Sequence, residues 1–269
     1  MLPFINQLLM YGICNLSIVP VRAEPSDSSE MVTQLLFGEH FTITETQQKW
    51  IKICQAWDRY EGWISSKQYV AIDANKFEEL NTDHPVLMAD IANVLVHKNT
   101  SESMALVMGS VLPCYQKPFC SIGDEIYLYE GNIQIKHPTK IRHNIIETAY
   151  NYLNSPYLWG GKSPFGIDCS GFTQMVYKLC GIKILRDTKQ QAQMGTALSF
   201  IEEAVPGDLA FFDNEEGKII HVGIVLKQNK IIHASGCVRI DTLDHQGIYN
   251  ASAKTYTHNL RVIKNLLGD

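Results

Sequence analysis

Nowhere does this sequence hold an apolar run long enough to cross a bilayer as a helix, so a helical membrane span is excluded and no membrane partner is expected. It lacks any Lys/Arg cluster able to neutralise a row of phosphates, and 23 basic against 28 acidic residues leave a net charge of -5. Nucleic acid is therefore not an expected partner. Cysteine is sparse and odd in number: seven residues, at positions 14, 54, 114, 120, 169, 180 and 237, show no regular spacing. That argues against a disulfide framework and for a reducing compartment. There is no C-x2-C pair, and Cys114 and Cys120 have no neighbours at ligand spacing, so no metal is expected. A secretory leader is not read either. The opening MLPFINQLLM is interrupted by Pro3, Asn6 and Gln7, and the first basic residue is Arg22, so the expected location is cytoplasmic.

What is present is 269 residues with 45% hydrophobic character, enough for two or three domains that each bury a core. Between residues 12 and 72, short β-type runs (14–21, 31–37, 41–45, 50–54 and 62–64) alternate with polar or glycine-bearing turns, which predicts a small barrel over 1–72. Residues 73–80 are polar and mixed and read as a linker or short helix. The β pattern resumes at 85–97, 103–112 and 125–128, giving a second small β domain within 73–138. From residue 139 the texture changes. Ile141, Ile145, Ala149 and Leu153 mark one helical face, and a Gly/Pro-rich loop then leads to Asp168, a good N-cap for a second amphipathic helix that Gly181 can end. Strands follow at 208–213, 219–226, 230–235, 238–240 and 260–263, so the last domain, 139–269, is α+β.

Cys169 falls in the first turn of that second helix, where free N–H groups and the helix dipole favour a thiolate and can hold an oxyanion. A small buried cysteine is the competing reading. His221 interrupts the apolar run 219–225, as either a base for the thiol or a satisfied structural histidine. His233 lies on the returning strand of the same hairpin. A two-residue turn would set it opposite Ile224 and point it away from His221. A three-residue loop over 227–229, with Asn229 left-handed, pairs Leu226 with Lys230 and His233 with Gly223, on the face of His221. The odd-length loop is the expectation.

Together, Tyr157-Leu158-Trp159-Gly160-Gly161, Asp168-Cys169-Ser170-Gly171-Phe172, Pro206-Gly207-Asp208-Leu209, His221-Val222-Gly223-Ile224 and His233-Ala234-Ser235 resemble the NlpC-type bacterial cell-wall peptidases over residues 141–263. The resemblance implies a papain-like fold, a Cys169, His221 and His233 triad, and Tyr157 near the oxyanion. It also implies hydrolysis of the bond between γ-D-glutamate and a diamino acid, usually diaminopimelate, in small peptidoglycan-derived peptides, without metal or organic cofactor. Asp168 and Ser170 would contact substrate, with Asp168 facing a free L-alanine ammonium, while Trp159 either contacts substrate or packs the loop. The two N-terminal β segments resemble bacterial SH3-like barrels, in which Tyr60 matches a tyrosine that helps hold the terminal amine. Glu30 is a candidate second carboxylate, against the plain reading of a solvated turn residue. Trimmed peptides with a free amine, and hence a recycling role, follow from that resemblance. An amidase or acyltransferase on the same scaffold and a non-catalytic wall-peptide binder are the alternatives.

Overall fold

The computed structural model describes residues 10–82, 84–134 and 140–268. The opening segment read for a leader and the junction at 138/139 fall on residues outside those described, apart from Met10. The chain divides into two compact units, residues 1–133 and 134–269.

In the first unit, strands Met10–Ile13 (β1), Ile18–Arg22 (β2), Met31–Leu36 (β3), His40–Gln47 (β4), Trp50–Gln55 (β5), Glu61–Ser65 (β6) and Val70–Ile72 (β7) form one antiparallel sheet. Their order is β3-β2-β6-β5-β4-β1-β7. The run 14–21, read as one strand, is broken at its start. Cys14 instead exchanges backbone hydrogen bonds with the turn at Gly38 and Glu39, which ends β1 at Ile13. Alternate residues of these strands, among them Val19, Val21, Phe41, Ile43, Ile51 and Ile53, fill one core. The segment 73–80 is a helix, Ala74–Leu80 (α1), because the Asp73 carboxylate accepts the Lys76 N–H at 2.8 Å and caps it.

Strands Ala92–His97 (β8), Ser103–Val107 (β9), Phe119–Ile122 (β10) and Glu125–Leu128 (β11) make a four-stranded sheet in the order β10-β11-β8-β9. The expected strand from residue 85 begins only at Ala92; Leu87 and Met88 make isolated bridges instead. The segments expected as two separate small barrels share a core. Ile13 and Phe37 of the first pack with Leu80, Met88, Leu95, Leu106, Cys120 and Tyr129. Side chains of that size stabilise by about 1.5–3 kcal/mol each when buried. The Val111 N–H also donates to the Phe37 carbonyl at 2.8 Å. Gly38 permits that approach, since a Cβ there would lie 2.3 Å from the Val111 oxygen.

The second unit opens with helix Ile141–Tyr150 (α2), which stops short of Leu153, left exposed past its end. A two-residue ribbon, Lys162–Ser163 (β12) and Gly166–Ile167 (β13), precedes helix Cys169–Leu179 (α3). Gly181, at φ +77°, ends α3: its N–H bonds the Lys178 carbonyl and the Ile182 N–H bonds that of Tyr177. A short helix Thr188–Gln191 (α4) follows, then strands Thr196–Ala197 (β14), Leu209–Asp213 (β15), Ile219–Leu226 (β16), Lys230–Ser235 (β17), Cys237–Leu243 (β18), Gly247–Asn250 (β19) and Thr255–Asn265 (β20). The sheet order is β14-β20-β15-β16-β17-β18-β19, and β20 pairs with β19 as well, so the sheet returns on itself. Ala210, Phe212, Val225, Ile231, Leu243, Ile248 and Ile263 fill one of its faces. Helix α3 packs on β16 and β17, and every one of its residues is buried.

Candidate active site

Cys169 is the first residue of α3. Asp168 before it is extended (φ -92°, ψ 175°), and its Oδ1 accepts the Gly171 N–H at 2.6 Å. The loop carrying Gly160 and Gly161 lies directly on this helix end, with the Gly160 N–H donating to Asp168 Oδ2 at 2.8 Å. That approach demands glycine at position 171, and the neighbouring β12–β13 ribbon demands it at 161. A Cβ on Gly171 would sit 2.3 Å from the Gly161 carbonyl oxygen, and one on Gly161 would sit 2.3 Å from that of Gly166. Arg186, between α3 and α4 and only 2% exposed, completes the arrangement. Its Nη1 and Nη2 reach Asp168 Oδ1 at 3.0 Å and Oδ2 at 2.6 Å, and Nη1 also donates to Ser170 Oγ at 2.8 Å.

The thiol lies 3.8 Å from Thr188 Oγ1 of α4 and takes a hydrogen bond from the backbone of Val222, the residue after His221. Strand β16 runs antiparallel to β17 with Gly223 opposite His233 and Leu226 opposite Lys230, the register of the three-residue loop. Both Gln228 and Asn229 are left-handed in that loop, at φ +58° and +54°. Gly223 is bare because a Cβ there would come within 2.8 Å of the His233 Cβ. The two imidazoles meet: His221 Nε2 and His233 Nδ1 are 2.8 Å apart, and His233 Nε2 is 3.0 Å from Asp241 Oδ2.

This chain fixes the tautomers. An ionised carboxylate only accepts, so His233 carries its proton on Nε2 and presents Nδ1 as an acceptor; His221 then donates from Nε2 and keeps its Nδ1 lone pair as an acceptor. Burial raises the Asp241 carboxyl, but hydrogen bonds from His233 and Arg239 outweigh it and hold the group below its ordinary value. The ring of His258, on β20, stacks on that of His221 with centroids 4.1 Å apart and planes 25° apart. Arg186, Asp241 and His258 were not singled out from sequence.

Burial pushes the Cys169 thiol up to about 11, and the charge of Asp168 pushes the same way. It pushes His221 well below 6.5, with further lowering by His233 and His258. Desolvation thus works against the thiolate that the helix end favours.

The same burial lowers His258 to about 4. For both histidines the folded-state pKa lies below the unfolded value, so the unfolded chain binds more protons in acid. Their contribution to stability is full above about pH 6.5 and is lost as pH falls towards 4. Thermal unfolding followed from pH 7 to 4 should show Tm falling through this window, and His258→Phe, which keeps a stacked ring without the charge, should fall less steeply. An equal fall in both proteins would contradict the assignment to His258.

The remaining predicted residues separate into groups. Tyr157 is half-buried, and its hydroxyl is raised to about 12, first by burial and then by Cys169 and Asp168. Trp159 is 61% exposed. Asp168 and Ser170 are buried in the Arg186 network. The Asp168 carboxylate already receives donors from Gly160, Gly171, Ser170 and Arg186, so an ammonium there would have to displace one of them. Tyr60 and Glu30 belong to the first unit: Tyr60 is half-buried in the turn between β5 and β6, and Glu30 is exposed just before β3. Among the described residues, no group of three or more His, Cys, Asp or Glu is placed to hold a metal, and no helix is long and apolar enough to cross a membrane. All seven cysteines are free.

The profile of the NlpC/P60 family matches residues 154–258, and that of the bacterial dipeptidyl-peptidase Sh3 domain matches residues 21–68. A γ-D-glutamyl-L-lysine dipeptidyl-peptidase of Bacillus subtilis is 31% identical over 75% of this chain and 71% of its own length. Dipeptidyl-peptidase 6 of Lysinibacillus sphaericus is 31% identical over 83% of this chain and 88% of its own. The crystal structure of an NlpC/P60 family protein from Bacillus cereus, at 22% identity, superimposes with a TM-score of 0.78 over 96% of this chain and 99% of its own, a likeness of fold.

Proposed function

Since this chain belongs to the NlpC/P60 peptidase family, we propose that it is a cysteine peptidase cutting the bond between γ-D-glutamate and a diamino acid in peptidoglycan stem peptides that begin with a free L-alanine. The observation that carries the reading is the relay from Asp241 through His233 to His221, beside a thiol in the first turn of α3. In this reading Cys169 Sγ attacks the γ-carbonyl of D-glutamate while His221 Nδ1 takes the thiol proton. The first-turn N–H groups of α3, with the Tyr157 hydroxyl as a further donor, receive the developing oxyanion. His221 then returns its proton to the leaving amine, and water releases the dipeptide from the acyl-enzyme. His233 holds the tautomer throughout.

The free amine is assigned to Asp168, where it displaces one of the present donors, with Ser170 contacting substrate and Trp159 offering an exposed ring beside it. The four-stranded sheet β8–β11 is, in this proposal, a second SH3-like module. The Bacillus subtilis relative is named for L-lysine, and either L-lysine or diaminopimelate supplies the required amine. Seven free thiols support placing the enzyme in a reducing, cytoplasmic setting where released wall peptides are recycled.

Mass spectrometry of products from L-Ala-γ-D-Glu-diaminopimelate, with and without an acetyl group on the alanine amine, tests the reading. Release of L-Ala-γ-D-Glu from the free peptide should exceed release from the blocked one at least about a hundredfold, because neutralising the amine leaves its carboxylate partner unpaired. Equal cleavage of both would remove the amine site. Transfer or amide products instead of the dipeptide would favour an amidase or acyltransferase, and binding without turnover would favour a wall-peptide binder.

A further inference from the structure

A second thiol stands in a reactive setting, remote in sequence from the residues above. Cys114 is half-buried in the first unit, with its backbone left-handed at φ +50°, an uncommon conformation for a residue other than glycine. Its Sγ lies 2.9 Å from Lys76 Nζ and 3.2 Å from Glu79 Oε1, and Lys76 Nζ lies 3.0 Å from Glu79 Oε2. The three groups therefore close a triangle in which each touches the other two. α1 supplies both charged members, three residues apart and so on one face, and the loop after β9 supplies the thiol. A cavity of about 390 Å³ opens beside them, bounded by Glu79, Leu80, His84, Pro85, Cys114 and Tyr115.

Most of the other cysteines lack this combination. Cys120 is buried and its thiol is pushed up to about 12, and burial also raises Cys54 and Cys180. A thiol that is open to solvent, within reach of a carboxylate that can take its proton and held against an ammonium that stabilises the sulfur anion, has the parts a sulfur nucleophile needs. Lys76 keeps its proton more firmly than an ordinary lysine, chiefly through the contact with Cys114.

We propose that Cys114, Glu79 and Lys76 form a second nucleophilic centre that reacts with hydroperoxides. Glu79 Oε1 takes the thiol proton as sulfur forms a bond to one peroxide oxygen and the O–O bond breaks. The departing oxygen takes a proton from the Lys76 ammonium and leaves as water or, from an organic hydroperoxide, as an alcohol. Glu79 then passes its proton to Lys76 across their direct contact, restoring both. Sulfur is oxidised by two electrons to a sulfenic acid and the peroxide is reduced by the same two; one low-molecular-weight thiol then displaces water to form a mixed disulfide with Cys114, and a second releases the Cys114 thiol and leaves as the small disulfide.

The experiment is brief exposure of the full chain to hydrogen peroxide, trapping of sulfenic acid with dimedone, and quantification of each cysteine-bearing peptide by mass spectrometry. Cys114 should be labelled at least tenfold faster than Cys237, which is also free and half-buried. Lys76→Met and Glu79→Gln should each slow Cys114 labelling by about that factor, with Lys76→Arg recovering part of it, while Cys114→Ser leaves peptide hydrolysis unchanged. Labelling of Cys114 no faster than Cys237 would overturn the proposal in the wild-type protein alone, whatever the variants do. So would variants that label as fast as wild type.

Discussion

Cys169→Ala is expected to abolish release of L-Ala-γ-D-Glu, with kcat/KM falling by roughly 10⁴-fold or more, while the protein stays folded. The size of the loss follows from the role. Without sulfur there is no covalent intermediate, and His221, whose free Nδ1 has no proton to take, can offer only general-base assistance to water. The packing cost is small by comparison. The thiol is a small group at the helix start, and Asp168, Gly171 and Arg186 hold that end whether or not sulfur is present. Tm should therefore stay within a few degrees of wild type. Retained hydrolysis in Cys169→Ala would end the assignment of the nucleophile. A collapse in Tm would instead mean that the residue is structural, the competing reading for any buried cysteine.

Arg186→Met is expected to be the most damaging change to the catalytic unit's stability. It removes both donors that neutralise Asp168 and leaves a carboxylate buried at the start of α3 with only N–H and hydroxyl partners. Breaking a buried pair from one side costs about 3–5 kcal/mol. For a unit of this size that is a fall in Tm of roughly 10 °C or more. The double variant Arg186→Met with Asp168→Asn removes the orphaned charge and keeps a capping side chain, so it should recover a substantial part of the loss. A single variant as stable as wild type, or a double variant no better than the single, would show that the pair does not hold the helix end. Activity should fall in both, because the first turn that aims the thiol is then less firmly held.

Much of this site was legible in the sequence because its geometry is local. Asp168 before an amphipathic run predicts the cap. Alternation along 219–226 and 230–235 leaves only the loop length to decide whether His233 faces His221, and the left-handed tendency of Asn229 selects the register found. What escaped is what depends on distant partners. Arg186 sits in a polar stretch that reads as surface, and its burial follows only from the carboxylate it meets on α3. Asp241 and His258 lie on strands that periodicity caught in part. Residues 255–259 are polar, so β20 was read only from residue 260, although the strand starts at Thr255 and carries His258 against His221. The sharing of one core by the two β segments is similar. Alternation shows which face of a strand is buried, but not that Phe37 will pack with Met88 and Leu106.

The place of β20 in the sheet bears on how the protein is made. Every other strand of that sheet precedes it in the chain, yet it lies between β14 and β15 and also meets β19. A growing chain that has emerged only through β19 therefore presents β15, with its sequence Leu-Ala-Phe-Phe-Asp, as an unpaired apolar edge. During synthesis this half-finished unit is a target for chaperones and for mispairing between neighbouring chains on one polysome.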